Sequence, residues 1–286
     1  MDVEWSNRYP PQEVLRAEVR GMTESFIEVL LDEIPPQEIR GLYFKGSAQK
    51  QWESLLDYVP EVSDVDIHIH FSEDDAVQRH LGTIAKAMRV QARVEKTYFS
   101  KIRKPLHTPR PQLVVLNDLR HQPDYIPTPS SAITVLHGEE YPQGDYGGPD
   151  RIRHVDCRRL IEDGAYLARF PFHLVDRPGR YLWESIRTFV WRVSPIGPRV
   201  LHLLGLRAED AWSQNRTRIV SRLQELGEPQ LAEEYAGFYL AAWDYFLSGY
   251  SDTDAGRLSI GCGVRALIKA VEIAEEYLIP GRSPGD

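Results

Sequence analysis

The chain of 286 residues has only two cysteines, Cys157 and Cys262. A disulfide framework needs more, so the expectation is two reduced, buried thiols. No apolar run reaches the ~18 residues of a membrane span, so no membrane partner is expected. The polar, acidic stretch 1–13 lacks the pattern of a secretory leader. Together these absences point to the cytoplasm. Basic excess is missing too. A formal charge of -8 argues against a general nucleic-acid coat, while leaving room for a local basic groove. There is no Walker loop, serine-hydrolase elbow or paired-cysteine zinc site, and no internal repeat or low-complexity tract.

The apolar residues that are present have readable periods. Val14, Leu15, Val19, Met22, Phe26, Val29 and Leu30 predict a helix over 12–31, stopped by Pro35-Pro36. Strands are predicted over 39–45 and 64–71, the second alternating cleanly, with a helix over 49–58 between them. Ser72-Glu73-Asp74-Asp75 reads as a helix start, followed by a buried stripe of Val77, Leu81, Ile84 and Met88. The stretch 92–99 fits either a continued helix or another strand. A buried strand is expected over 112–116, ended by Asn117-Asp118, and a further strand over 132–136. Prolines cluster over 105–149, and helices are expected over 181–193, 208–226, 230–247 and 254–278. This divides the chain into an α/β (α+β) domain, 1–149, and an all-helical domain, 150–286.

Strand alternation puts Asp64, Asp66, His68 and His70 on one face and Val65, Ile67, Ile69 and Phe71 on the other. The acids lie roughly 6–7 Å apart at Cα, close enough to converge on one magnesium ion or a pair. Before them, Gly46 lets backbone approach a ligand, and N–H groups leading into a helix start make an anion nest. Ser47 adds a hydroxyl, and Lys50, one turn into that helix, reaches a phosphate as a point charge. Alone, each has an ordinary reading: a solvated edge strand, a turn, a solvated lysine. In this order they favour phosphate plus metal. His68 and His70 invite a transition-metal reading, but four residues in line span too far for one ion. His68 is read as a group supporting the ligands or facing the acceptor, and His70 as solvated. Lys101, Arg103, Lys104, His107 and Arg110 form a basic patch suited to phosphates or RNA.

Leu42-Tyr43-Phe44-Lys45-Gly46-Ser47 and Ser63-Asp64-Val65-Asp66-Ile67 together resemble the signature of the nucleotidyltransferase superfamily related to DNA polymerase beta. The likeness covers roughly 39–118, with a spacer longer than in minimal members. It implies a small mixed sheet with helices on one face, a nucleoside triphosphate such as ATP, and magnesium as one or two ions. It also implies transfer of a nucleoside monophosphate to a hydroxyl acceptor on a small molecule, RNA or protein. Carried onto this chain, Gly46 and Ser47 would hold the triphosphate, and Asp64 and Asp66 the metal. Active members add a third carboxylate from a later strand. Gln112 stands where that acid is expected, with Glu95 and Asp118 the other acids to consider. An amide binds magnesium weakly and cannot act as a base, so the alternative expectation is a catalytically weak or inactive nucleotide-binding relative.

Overall fold

The computed structural model describes residues 3–143 and 148–278. They form a mixed α/β structure in two units. A sheet unit holds Trp5–Lys50 and Ser63–Gly144, and a helical unit holds Met1–Glu4, Gln51–Val62 and Asp145–Asp286.

In the sheet unit, α1 (Gln12–Glu33) buries Leu15, Val19, Met22, Phe26 and Leu30 at helical spacing. The Pro35-Pro36 pair follows it and cannot continue the helix. Strands β1 (Ile39–Lys45), β2 (Val65–Phe71), β3 (Pro111–Val115) and β4 (Ile133–Gly138) make one sheet in the order β3-β2-β1-β4. β1 is antiparallel to β2 and β4, whereas β3 is parallel to β2. A parallel return needs a crossover. Helices α2 (Ala76–Leu81) and α3 (Ile84–Lys101) supply it, and 92–99 is the second half of α3. A single helical turn, α4 (Leu116–Arg120), follows β3.

Val65, Ile67, Ile69 and Phe71 are all buried, and α1 packs against β2 and β3. The registers Lys45↔Asp66, Tyr43↔His68 and Asp66↔Gln112 assemble the other face from three strands. The expected stripe of Val77, Leu81, Ile84 and Met88 does not form. Gly82 ends α2, α3 starts afresh after the Thr83 cap, and Ile84 and Met88 are exposed. The buried side of α3 is Val90, Val94 and Tyr98. β3 is a half-buried edge strand rather than a buried one.

The helical unit contains α5 (Gly148–Tyr166), α6 (Phe172–Val175), α7 (Leu182–Val193), α8 (Ile196–Leu203), α9 (Ala208–Ser213), α10 (Arg216–Glu225), α11 (Pro229–Leu247) and α12 (Thr253–Tyr277). Phe189, Tyr235, Phe238, Tyr239 and Trp243 fill its core. The helix expected over 208–226 is two helices, because the Asn215 side chain accepts the Arg218 amide (2.9 Å) and caps α10. α8 carries Gly197 and Pro198, which mask it in sequence. Both lie in its first turn, where proline is tolerated. Cys157 and Cys262 are buried free thiols.

The helix expected over 49–58 is absent, and 51–62 groups with the helices although a division at 150 assigns it to the sheet. Buried Asp57 explains why. Its carboxylate accepts from the amides of Glu53 (2.7 Å), Ser54 (3.1 Å) and Thr217 (2.9 Å), and from the Thr217 hydroxyl (2.7 Å). Arg216 donates to the Leu56 carbonyl (3.0 Å) and Trp243 Nε1 to that of Leu55 (2.9 Å). These bonds replace the helical ladder that local propensity favours.

Candidate functional site

Gly46 closes β1 with φ +83°, a conformation that side chains rarely adopt. A Cβ there would overlap Asp66 Oδ2. The small-residue turn and the carboxylate strand therefore meet, because antiparallel pairing sets Lys45 opposite Asp66. Ser47 and Gln49 lie in a turn and Lys50 in a bend. Gln49 Nε2 donates to Thr134 Oγ1 (2.8 Å), and Arg16 donates to the Lys50 carbonyl (3.2 Å). Lys50 is thus not in a helix, and any anion at Gly46-Ser47 meets turn N–H groups without a helix dipole behind them.

Asp64 is almost fully buried and is gripped by Arg110. Nε donates to Oδ1 at 3.0 Å, and a second nitrogen donates to Oδ2 at 2.7 Å. Gln112, oriented so that both ends of its amide are satisfied, donates to Asp66 Oδ1 (3.2 Å) and Asp64 Oδ2 (3.1 Å). Gln112 thus ties the two acids together. Asp64, Asp66 and Gln112 are brought to one place, with Gly46 against Asp66.

Lys45 belongs to this cluster. Its Nζ donates to Thr128 Oγ1 at 3.2 Å. Burial pushes its ammonium below the usual lysine range, and Asp66 opposes that shift. Next along the face, buried His68 shares a hydrogen bond between Nδ1 and the Tyr141 hydroxyl (3.1 Å), which in turn meets the Tyr125 hydroxyl (2.8 Å). Burial, with Lys45 adding to it, drives the His68 pKa down to about 2, so the imidazole is neutral. His70 is buried and not solvated, and its Nε2 meets Arg120 at 3.2 Å. The two imidazoles therefore have different partners. Among the described residues no group of three or more His, Cys, Asp and Glu side chains is arranged to hold a metal ion.

Neither other acid reaches the pair. Glu95 lies on α3, bonded by Gln91 (3.0 Å), and lines a cavity of about 600 Å³ with Phe26 and Leu113. Leu113 pairs with Ile67, on the opposite face of the sheet from Asp66. Asp118 is exposed on α4, beyond the Ile69↔Val115 end of the ladder. The basic patch is dispersed as well. His107 is buried against Glu18 (2.6 Å), Lys101 pairs with Glu28 (2.8 Å), and Arg110 serves Asp64.

Lys45 and Thr128 were not singled out in sequence. Lys45 could have been, since it adjoins Gly46 and antiparallel pairing puts it beside the acids. Arg110 stands two residues before Gln112 and so shares its face. Tyr125, Thr128 and Tyr141 come from irregular segments and carry no periodic signal. Compared with known proteins, the chain matches no family model, no curated protein and no solved structure. Two carboxylates are the donor type that suits a hard divalent cation. Asp64 shares its oxygens with Arg110, and Gln112 donates to both acids.

Proposed function

We propose that this chain is a nucleotidyltransferase of the type related to DNA polymerase beta. It moves a nucleoside monophosphate, AMP from ATP as the favoured case, to a hydroxyl on a small molecule, RNA or protein. The observation that carries the reading is the close approach of Gly46 to Asp66, which puts the turn and the carboxylate strand side by side. Gly46 and Ser47 hold the triphosphate through turn N–H groups and the serine hydroxyl. Lys50 is kept as a phosphate contact on charge alone. Asp66 and Asp64 hold magnesium, which when bound offsets charge on the phosphates. Gln112 and Arg110 fix the carboxylates by hydrogen bonds, and His68 supports the same face. The acceptor oxygen forms a bond to the α-phosphorus while the bond to pyrophosphate breaks, and the acceptor proton passes to a base.

One observation favours a second reading. Gln112 cannot take that proton, and its NH2 occupies both acids. A chain that binds nucleotide without turning it over fits this equally well. The test is pyrophosphate release from each of the four nucleoside triphosphates, with magnesium and a panel of hydroxyl acceptors. Release that disappears in Asp66→Asn supports transfer. Magnesium-dependent nucleotide binding with no release from any acceptor supports the second reading. No nucleotide binding overturns both.

A further inference from the structure

β3 is an open edge of the sheet, and its pairing with β2 fixes which of its backbone groups are spent. The Val65 amide donates to the Arg110 carbonyl at 3.0 Å. Along a strand, residues whose backbone groups bond one neighbour alternate with residues whose groups face away from it. Arg110, Gln112 and Val114 therefore turn their backbone groups to β2. Leu113 turns its N–H and C=O outward, with the Pro111 C=O and the Val115 N–H on either side. Pro111 stands at an outward position, where a missing N–H costs no bond to β2. β3 carries no charged side chain to blunt the edge, and it is half-buried along its length. Beside it, on the helix face, lies the cavity of about 600 Å³. Pro111 and Leu113 line it from the strand, Phe26 from α1, and Val90, Val94 and the exposed Phe99 from α3.

We propose that β3 and this cavity together receive an extended segment of a partner protein, apolar at every second position. Outward N–H and C=O groups two residues apart are matched by another extended backbone, so the edge specifies a strand as its occupant. A strand added about 4.8 Å beyond β3 sends alternate side chains to the helix face, where the cavity stands. The cavity volume falls in the range of ~300–1,000 Å³ that encloses a drug-sized ligand, room for two or three apolar side chains. The backbone ladder supplies affinity, and the cavity selects the side chains. α3 lines the same cavity as the edge strand. That favours one added strand over a second copy of this chain, which would bring a whole sheet with helices of its own on that face. The cavity side of β3 is opposite the Asp66 side. Binding there needs no nucleotide, so the proposal stands or falls separately from the transfer reading.

The test uses the full chain and dye-labelled peptides of about nine residues, with Leu or Val at every second position and Thr or Lys between. Fluorescence anisotropy reads binding, and amide hydrogen exchange reads the edge. In the free chain the Leu113 amide should exchange fast, and those of Gln112 and Val114 slowly. Bound peptide should protect Leu113. N-methylation of single peptide amides should divide into two alternating sets. One set should bind about 3- to 10-fold more weakly, the range of one neutral hydrogen bond, and the other should bind as before. Phe99→Lys, at an exposed position, should weaken binding by about 10-fold through lost apolar contact. Three results overturn the proposal: no binding of any peptide, binding that ignores whether the apolar residues alternate or are grouped at one end, or slow exchange of Leu113 in the free chain. Slow exchange together with a dimer's mass in sedimentation would assign the edge to a second copy instead.

Discussion

Gly46 has no room for a side chain because the Asp66 carboxylate fills the space its Cβ would occupy. Gly46→Ala should therefore do two kinds of harm. It strains a backbone at φ +83° and displaces Asp66, and together these should cost about 1–3 kcal/mol. Urea unfolding measures the stability loss. Nucleotide affinity measures the displacement, and the account expects affinity to fall even where the variant is fully folded.

Arg110 and Asp64 form a forked pair in which the acid is buried and the arginine is half exposed. Arg110→Ala leaves a buried carboxylate with one anchor fewer. Because solvent screens an arginine this exposed, the loss should be about 1–2 kcal/mol, less than for a fully buried pair. Arg110→Lys should recover only part of it, since an ammonium cannot fork. Urea midpoints of the two variants check the order, and a lysine variant as stable as the native chain would contradict it.

The stretch 51–62 shows why part of the fold was legible and part was not. Strands 39–45 and 64–71 announce themselves by apolar alternation, and the meeting of Gly46 with Asp66 follows from pairing them. The intervening residues lack glycine and proline over 49–58 and read as a helix on propensity. Tertiary bonds to Asp57 decide otherwise, and its main long-range partner, Thr217, lies far away in sequence. The same limit hid Thr128 and Tyr141, which reach the site from loops. Arg110 was visible, but charge clustering suggested a phosphate patch, whereas strand alternation aims it at Asp64.

Asp57→Ala removes the acceptor of four hydrogen bonds. The helical unit should lose about 3 kcal/mol or more. Limited proteolysis should then cut within 51–62, a segment mostly buried in the native chain. Resistance equal to the native protein would show that Asp57 does not hold it.

His68 makes the sheet unit sensitive to acid. Its folded pKa lies at about 2, below the ordinary histidine value, so in the window between them the unfolded chain binds the extra proton. Stability is therefore complete above the unfolded value near 6.5 and falls as pH drops below it, by up to about 1.4 kcal/mol per unit. Urea midpoints at pH 7.5 and pH 5 measure the slope. His68→Gln should flatten it, and an unchanged slope would assign the acid sensitivity to other groups.

The most direct test of the account is equilibrium binding of ATP, with and without magnesium, to the native chain and to Asp66→Asn and Gly46→Ala. The account predicts magnesium-dependent binding to the native chain and its loss in both variants, each shown to be folded. Binding that ignores both substitutions, or no binding to the native chain, would contradict the claim that turn and carboxylates form one nucleotide site.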